Sequence, residues 1–287
     1  MADGVSYASS LRRELCSRNA DFARRNGLDH VPSYGSEPVI VYAPAGNEAH
    51  GNFFPASYKA IQKNANWRLR LNKVHTQARA SLPRAERRWR ELDSCTSSDA
   101  LLMNIFCCPR VLRNRNCAAM LGVDPTSRPQ FGYRPRVPLS NGHIDRTEVD
   151  LKLGNLLVEA KLTESDFQVQ SATLVETYRD LEEVFEVLSL PRQNDKYVSY
   201  QLIRNVLAAH AANESFCLMT DQRRPDLIER WHLVMRCIRA ADLRTRCKVL
   251  TWQELSTQLP ATLQGFLAQK YGIEPVHSTF RSRLNIM

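Results

Sequence analysis

The sequence predicts an α/β fold with some parallel strand pairing. Two observations carry this reading: helical apolar spacing alternates with short apolar strands through the C-terminal half, and a period-two hairpin pattern flanks Gly154-Asn155. No internal repeat is visible. With 43% hydrophobic and 24% charged residues over 287 positions, the chain can bury a sizeable core, which excludes general disorder, a collagen, a coiled-coil rod and a disulfide miniprotein.

Ser10 to Arg25 has helical character, and Pro38 to Tyr42 reads as a short strand among Gly, Pro, Ser and Asn. From Lys59 to Arg90 the chain is strongly basic. Lys63, Arg68, Arg70, Lys73, Arg87 and Arg88 are candidate phosphate contacts there, because cations neutralise phosphates while the interleaved Tyr58, Trp67 and Trp89 offer faces for sugars or bases. Read singly, each of these cations is an ordinary solvated helix residue.

Ser97-Ser98-Asp99 before Ala-Leu-Leu-Met-Asn-Ile-Phe reads as an N-cap opening a buried helix, with Leu101, Leu102, Ile105 and Phe106 inward and Pro109 as its limit. A Pro-rich stretch follows, with one strand expected around Phe131 to Val137. After the hairpin, Thr163 to Ser189 reads as a single helix on the spacing of Phe167, Leu174, Val175, Leu181, Val184, Phe185 and Leu188. Tyr197 to Ala212 reads as a helix, Ser215 to Thr220 as a buried strand, Leu227 to Ala240 as a helix and Cys247 to Trp252 as a strand.

Charge points towards anionic partners. Lys plus Arg number 39 against 30 Asp plus Glu, a net charge of +9 and a pI near 9.3, so nucleic acid is the first partner to consider. The longest apolar run, Ala100 to Cys108, is too short to span a bilayer. No secretory signal pattern precedes Arg12 and Arg13, so no membrane and a cytoplasmic location are expected. The 8 cysteines form no C-x-x-C pair, and the histidines show no metal-binding spacing. The cysteines are expected to be small buried residues.

In the hairpin, Leu153 should face Leu156, Leu151 face Val158 and Val149 face Ala160, filling one apolar face. On the other face the same register sets Asp150 opposite Glu159 and Glu148 opposite Lys161. Like charges directly opposed destabilise a sheet. A hard divalent cation would neutralise the carboxylates, with the Ala160 carbonyl as a further oxygen ligand, and Mg²⁺ keeps waters for chemistry when held this way. Lys161 shares the face of Glu159 and would orient an attacking water or stabilise charge on a phosphate. Glu148 would bind a second ion, act as a base or pair with Lys161. The competing reading is a solvent-exposed hairpin whose charges only solubilise it.

Val149-Asp150 and Glu159-Ala160-Lys161 resemble the motif of the PD-(D/E)XK nuclease superfamily, the restriction-endonuclease-like fold, with Val149 in place of the motif's Pro. The resemblance covers Ser97 to Trp252. It implies a mixed β-sheet core flanked by helices over residues 93–287, preceded by a basic N-terminal extension over residues 1–92. Ser97-Ser98-Asp99 with Asn104 resembles the first helix of uncharacterised bacterial restriction-endonuclease-like proteins, some of which carry Ser-Ser-Gln there. Gln201 lies where many members place a Gln or basic residue that reaches the active site, while Arg204 reads as ordinary helix surface.

By that resemblance the reaction is Mg²⁺-dependent hydrolysis of phosphodiester bonds, with Mn²⁺ as a substitute. Asp150, Glu159 and Ala160 would hold the metal, and Lys161 would position the water. The implied function is an endonuclease acting on double-stranded DNA in restriction, defence or repair. The alternatives are a non-catalytic nucleic-acid-binding protein that keeps the fold and a protein-interaction module whose charge is incidental. A homodimer is expected where both strands are cut.

Overall fold

The computed structural model describes residues 6–34, 37–45, 49–74 and 88–276. Helix α1 (Tyr7–Asn26) opens where Ser6 Oγ accepts the Ser9 N–H at 3.2 Å. A short antiparallel pair, β1 (His30–Pro32) and β2 (Ile40–Tyr42), follows, then α2 (Pro55–Lys63) and α3 (Ala65–Arg70). Helix α4 (Ser98–Phe106) is capped by Ser97 Oγ, and all of its residues are buried. Next come α5 (Arg115–Leu121), β3 (Pro129–Tyr133), β4 (Val149–Leu153) and β5 (Leu156–Ala160). The chain continues through α6 (Tyr200–Ala211), β6 (Ser215–Thr220), α7 (Pro225–Met235) and β7 (Cys247–Thr251). Two helices beyond the last expected strand, α8 (Trp252–Ser256) and α9 (Ala261–Tyr271), complete the body.

The central sheet has five strands in the order β7-β6-β5-β4-β3. β6 runs parallel to both β5 and β7, whereas β4 is antiparallel to β3 and β5, so the sheet is mixed. Alternation along β6 sends Cys217 and Met219 into one core with Leu101, Ile105 and Trp252, and Phe216 and Leu218 into a second with Val206 and Trp231. Helices therefore cover both faces. Gly154 makes the β4–β5 turn with φ 55°. Leu153 faces Leu156 and Leu151 faces Val158, as the hairpin pattern predicts.

Two expectations are corrected. The pairing of β4 with β5 stops at Leu151–Val158. Val149 joins the core opposite to that of Leu151, because Asp150 Oδ2 takes the Ala160 N–H at 2.8 Å in place of a backbone rung. Residues 163–189 do not form one helix but a short strand, Val169–Ser171, and single helical turns at Ala172–Val175, Leu181–Val184 and Val187–Ser189. Asp166 Oδ1 accepts the Gln168 N–H and Thr177 Oγ1 bonds the Leu174 carbonyl, local side-chain bonds that close turns and interrupt a helix. Leu11 and Leu15 of α1 share the core of Leu151 and Leu263.

The cysteines are free, and seven of the eight are buried. No described helix is long and apolar enough to cross a membrane. Lys270 of α9 is fully buried; its Nζ donates to the Gly51 carbonyl at 3.2 Å and lies 3.8 Å from the Tyr42 ring centroid. Burial outweighs the opposing pull of Cys95 and lowers its pKa well below the ordinary lysine value of 10.5. Between the depressed value and 10.5 the unfolded chain binds the proton more tightly, so the stability from this group rises with pH, by up to about 1.4 kcal/mol per unit. Urea titrations should therefore show wild type gaining on Lys270→Met as pH rises from about 7 to about 9; a constant gap would mean the ammonium stays charged in the fold.

Candidate active site

The hairpin brings Asp150, Glu159 and Lys161 to one cleft of about 670 Å³, which also exposes Asp99, Glu164 and Gln201 on its walls. The backbone there is pinned. Lys161 N–H donates to the Met219 carbonyl of β6 at 2.8 Å, and the Lys161 carbonyl accepts Trp252 Nε1–H at 3.0 Å. Glu159 and Lys161 are buried at 4% and 6% exposure, which makes their mutual contact decisive. Lys161 Nζ lies 3.0 Å from Glu159 Oε1 and donates to Gln201 Oε1 at 2.8 Å.

Glu159 Oε2 accepts from Asn205 Nδ2 at 2.8 Å. Gln201 and Asn205 stand four residues apart, one turn of α6, so a single helix face orients both members of the pair. The sequence reading missed Asn205; its i, i+4 spacing from Gln201 is the one signal that pointed to it. Glu164 joins the site by accepting Ser98 Oγ–H and the Leu162 N–H, each at 2.6 Å. Burial alone would favour a neutral Lys161 amine, but Glu159, Glu164 and Asp150 outweigh it and hold the ammonium protonated well above the ordinary lysine range. Asp150 is pushed the other way: burial, then Glu159 and then Asp99 raise its pKa well above the usual carboxylate value, against the pull of Lys161 and the Ala160 N–H.

Other placements differ from expectation. Glu148 pairs with Arg70 at 2.6 Å rather than with Lys161. Arg70 and Lys73 do not lie free for phosphate: both grip Asp99 Oδ2, at 2.8 and 2.6 Å, and Lys73 also meets Glu91 at 2.9 Å. The folded chain brings these charges together because Asp99, at 2% exposure, cannot remain unpaired. Lys63 and Arg68 are exposed on α2 and α3, and Arg88 stacks over Trp89 at 4.4 Å. Arg87 lies outside the described residues. Arg204 is not helix surface: it is buried and donates to the Thr147 and Glu148 carbonyls at 2.6 and 2.8 Å, holding the strand entry to Asp150.

Among the described residues no three His, Cys, Asp or Glu side chains converge closely enough to hold an ion by themselves. The donor set that does exist is a carboxylate pair plus backbone oxygen, with Asp99 Oδ1 buried and unpartnered nearby. A carboxylate pair in which burial and neighbouring acids push the Asp150 carboxyl up suits a hard cation that keeps several waters. No curated protein and no solved structure matches the chain. A family model described as "Restriction Endonuclease associating with ARP" matches residues 22–272, which takes in the whole sheet and every residue of the cleft floor. With that span added to the mixed sheet and the hairpin carboxylates, the chain belongs to this restriction-endonuclease family.

Proposed function

We propose that the protein is a metal-dependent endonuclease that hydrolyses phosphodiester bonds in DNA. The observation that carries this reading is a buried lysine ion-paired at 3.0 Å to the buried Glu159 on the floor of an open cleft that Asp150 also lines. Asp150, Glu159 and the Ala160 carbonyl would hold Mg²⁺, or Mn²⁺ in its place. When bound, such an ion polarises a phosphate and lowers the pKa of a coordinated water. Lys161 donates hydrogen bonds towards a water or a phosphate oxygen, and its charge opposes the negative charge that develops during attack. Gln201 aims the ammonium and Asn205 holds the Glu159 carboxylate, so neither group must reorganise during reaction.

Incubation of supercoiled plasmid with the purified protein in Mg²⁺, Mn²⁺ or EDTA tests the reading. Nicking or linearisation in the metals and none in EDTA is the expected result. Binding without cutting in every metal would favour the non-catalytic alternative. A second readout is independent of turnover: Mg²⁺ should raise the melting temperature, since a ligand bound only by the folded state stabilises it. The same shift in Asp150→Asn would place the ion elsewhere.

A further inference from the structure

A second concavity, of about 1410 Å³, lies beside the cleft and is lined from α3, α5, β3 and the loops around them. Five arginines face it: Arg110, Arg113, Arg115, Arg128 and Arg134. All five are exposed, and among the described residues none forms an ion pair. Some arginines elsewhere are tightly paired, as with Arg223 on Asp221 and Glu14, and Arg224 on Asp226; what sets these five apart is that they gather around one hollow. The one acid on the lining, Asp124, spends its Oδ1 on the Thr126 N–H and hydroxyl at 2.7 and 2.5 Å.

Five like charges gathered in one hollow repel each other and gain nothing from the fold itself. Arg110 adds a backbone cost, since its φ of 75° lies in the left-handed region that a bulky side chain seldom adopts. A polyanion supplies what the fold withholds, and evenly spaced phosphates suit an arginine row because each contact also releases condensed counterions. Trp67 stiffens one wall: its Nε1–H donates to the Pro129 carbonyl at 3.0 Å and its ring meets Phe131 edge-on at 6.2 Å.

Arg70 connects the hollow to the cleft. Gly132 lines the hollow with φ 64°, and a Cβ there would collide with the Arg70 guanidinium and lie 3.0 Å from the Glu148 carboxyl carbon. Arg70 in turn holds Asp99, which faces the cleft. We infer that this arginine groove is the track for the phosphate backbone of duplex DNA and delivers it to the carboxylate cleft. Naming DNA as the occupant rests on the nuclease reading; the demand for a polyanion rests on the groove alone.

Fluorescence anisotropy of the full chain with a labelled duplex in EDTA tests the groove without any cleavage. The variant Arg110→Gln/Arg113→Gln/Arg128→Gln/Arg134→Gln should bind about tenfold or more weakly at moderate salt, and the slope of log K against log salt should fall by about 3 to 4. Arg25→Gln/Arg236→Gln/Arg239→Gln/Arg244→Gln removes the same charge away from the groove and should stay within about threefold of wild type. Equal losses in the two variants, an unchanged slope in the first, or no salt-dependent binding by wild type would each overturn the groove. Tighter binding of a duplex RNA of the same sequence would overturn DNA as its occupant. Cleavage separates the two readings: a wild type that binds through the groove but never cuts sinks the nuclease alone, and one that cuts while the groove variant binds and cuts equally well sinks the groove alone.

Discussion

Asp150→Asn is expected to lower metal-dependent plasmid cleavage by about 10³-fold or more while leaving thermal stability in EDTA unchanged or raised. The two halves of this outcome have one cause. Asp150 carries charge against burial and the neighbouring Glu159 and Asp99, so an amide of the same shape removes a repulsion. The amide oxygen can still accept the Ala160 N–H that Asp150 Oδ2 accepts at 2.8 Å. What the amide cannot supply is the negative charge that holds a cation. Lys161→Met should match the loss of cleavage but differ in stability, because it strands the Glu159 carboxylate that lies 3.0 Å from the ammonium. Plasmid nicking time courses with parallel melting curves decide the matter. Cleavage that survives Asp150→Asn would remove this residue from the site, and joint collapse of activity and melting temperature would make it structural.

Arg224→Ala should cost about 3 kcal/mol of folding stability, read as a lower urea midpoint at unchanged slope. Its guanidinium is fully buried and pairs with Asp226 at 2.8 and 3.0 Å. It also donates to the carbonyls of Leu162 and Glu164 at 3.2 and 2.8 Å. Truncation strands those acceptors in a segment that follows Lys161 directly and carries Glu164 into the cleft. Cleavage should fall with stability, though less than in Asp150→Asn, since no group at the carboxylates is lost. Arg224→Lys should rescue little, because an ammonium cannot reproduce the forked contact with Asp226 while reaching two carbonyls. A midpoint within experimental error of wild type would show that water replaces the lost donors.

The hairpin, the capped helix α4 and strand β6 were legible in the sequence because local pattern specifies each. Gly154-Asn155 selects the turn, Ser97 selects the helix start, and the unbroken apolar run Phe216–Met219 marks a strand buried on both faces. The segment 163–189 misled because the single turns Ala172–Val175 and Leu181–Val184 each bury two residues and so reproduce helical spacing. Phe167, Val175, Val184 and Phe185 are buried there as expected, yet Leu188 is 93% exposed, which a continuous helix face would not allow.

The amino-acid order by itself determined the α/β class, the turn of the hairpin with its register from Leu151–Val158 to Leu153–Leu156, and the grouping of Asp150, Glu159 and Lys161 around one strand pair. These follow from interactions between residues a few positions apart, where alternation and turn chemistry leave little choice. Tertiary structure alone decided how the distant charges are matched. It placed Arg70 and Lys73 on Asp99, Arg70 on Glu148, Asn205 on Glu159 and Arg204 under the strand entry, while leaving five arginines around one hollow with no ion pair among the described residues. A charge can pair with many others along the chain; the core selects among them, because only the packed faces of α3, α4, α6 and the sheet set which groups lose their water together.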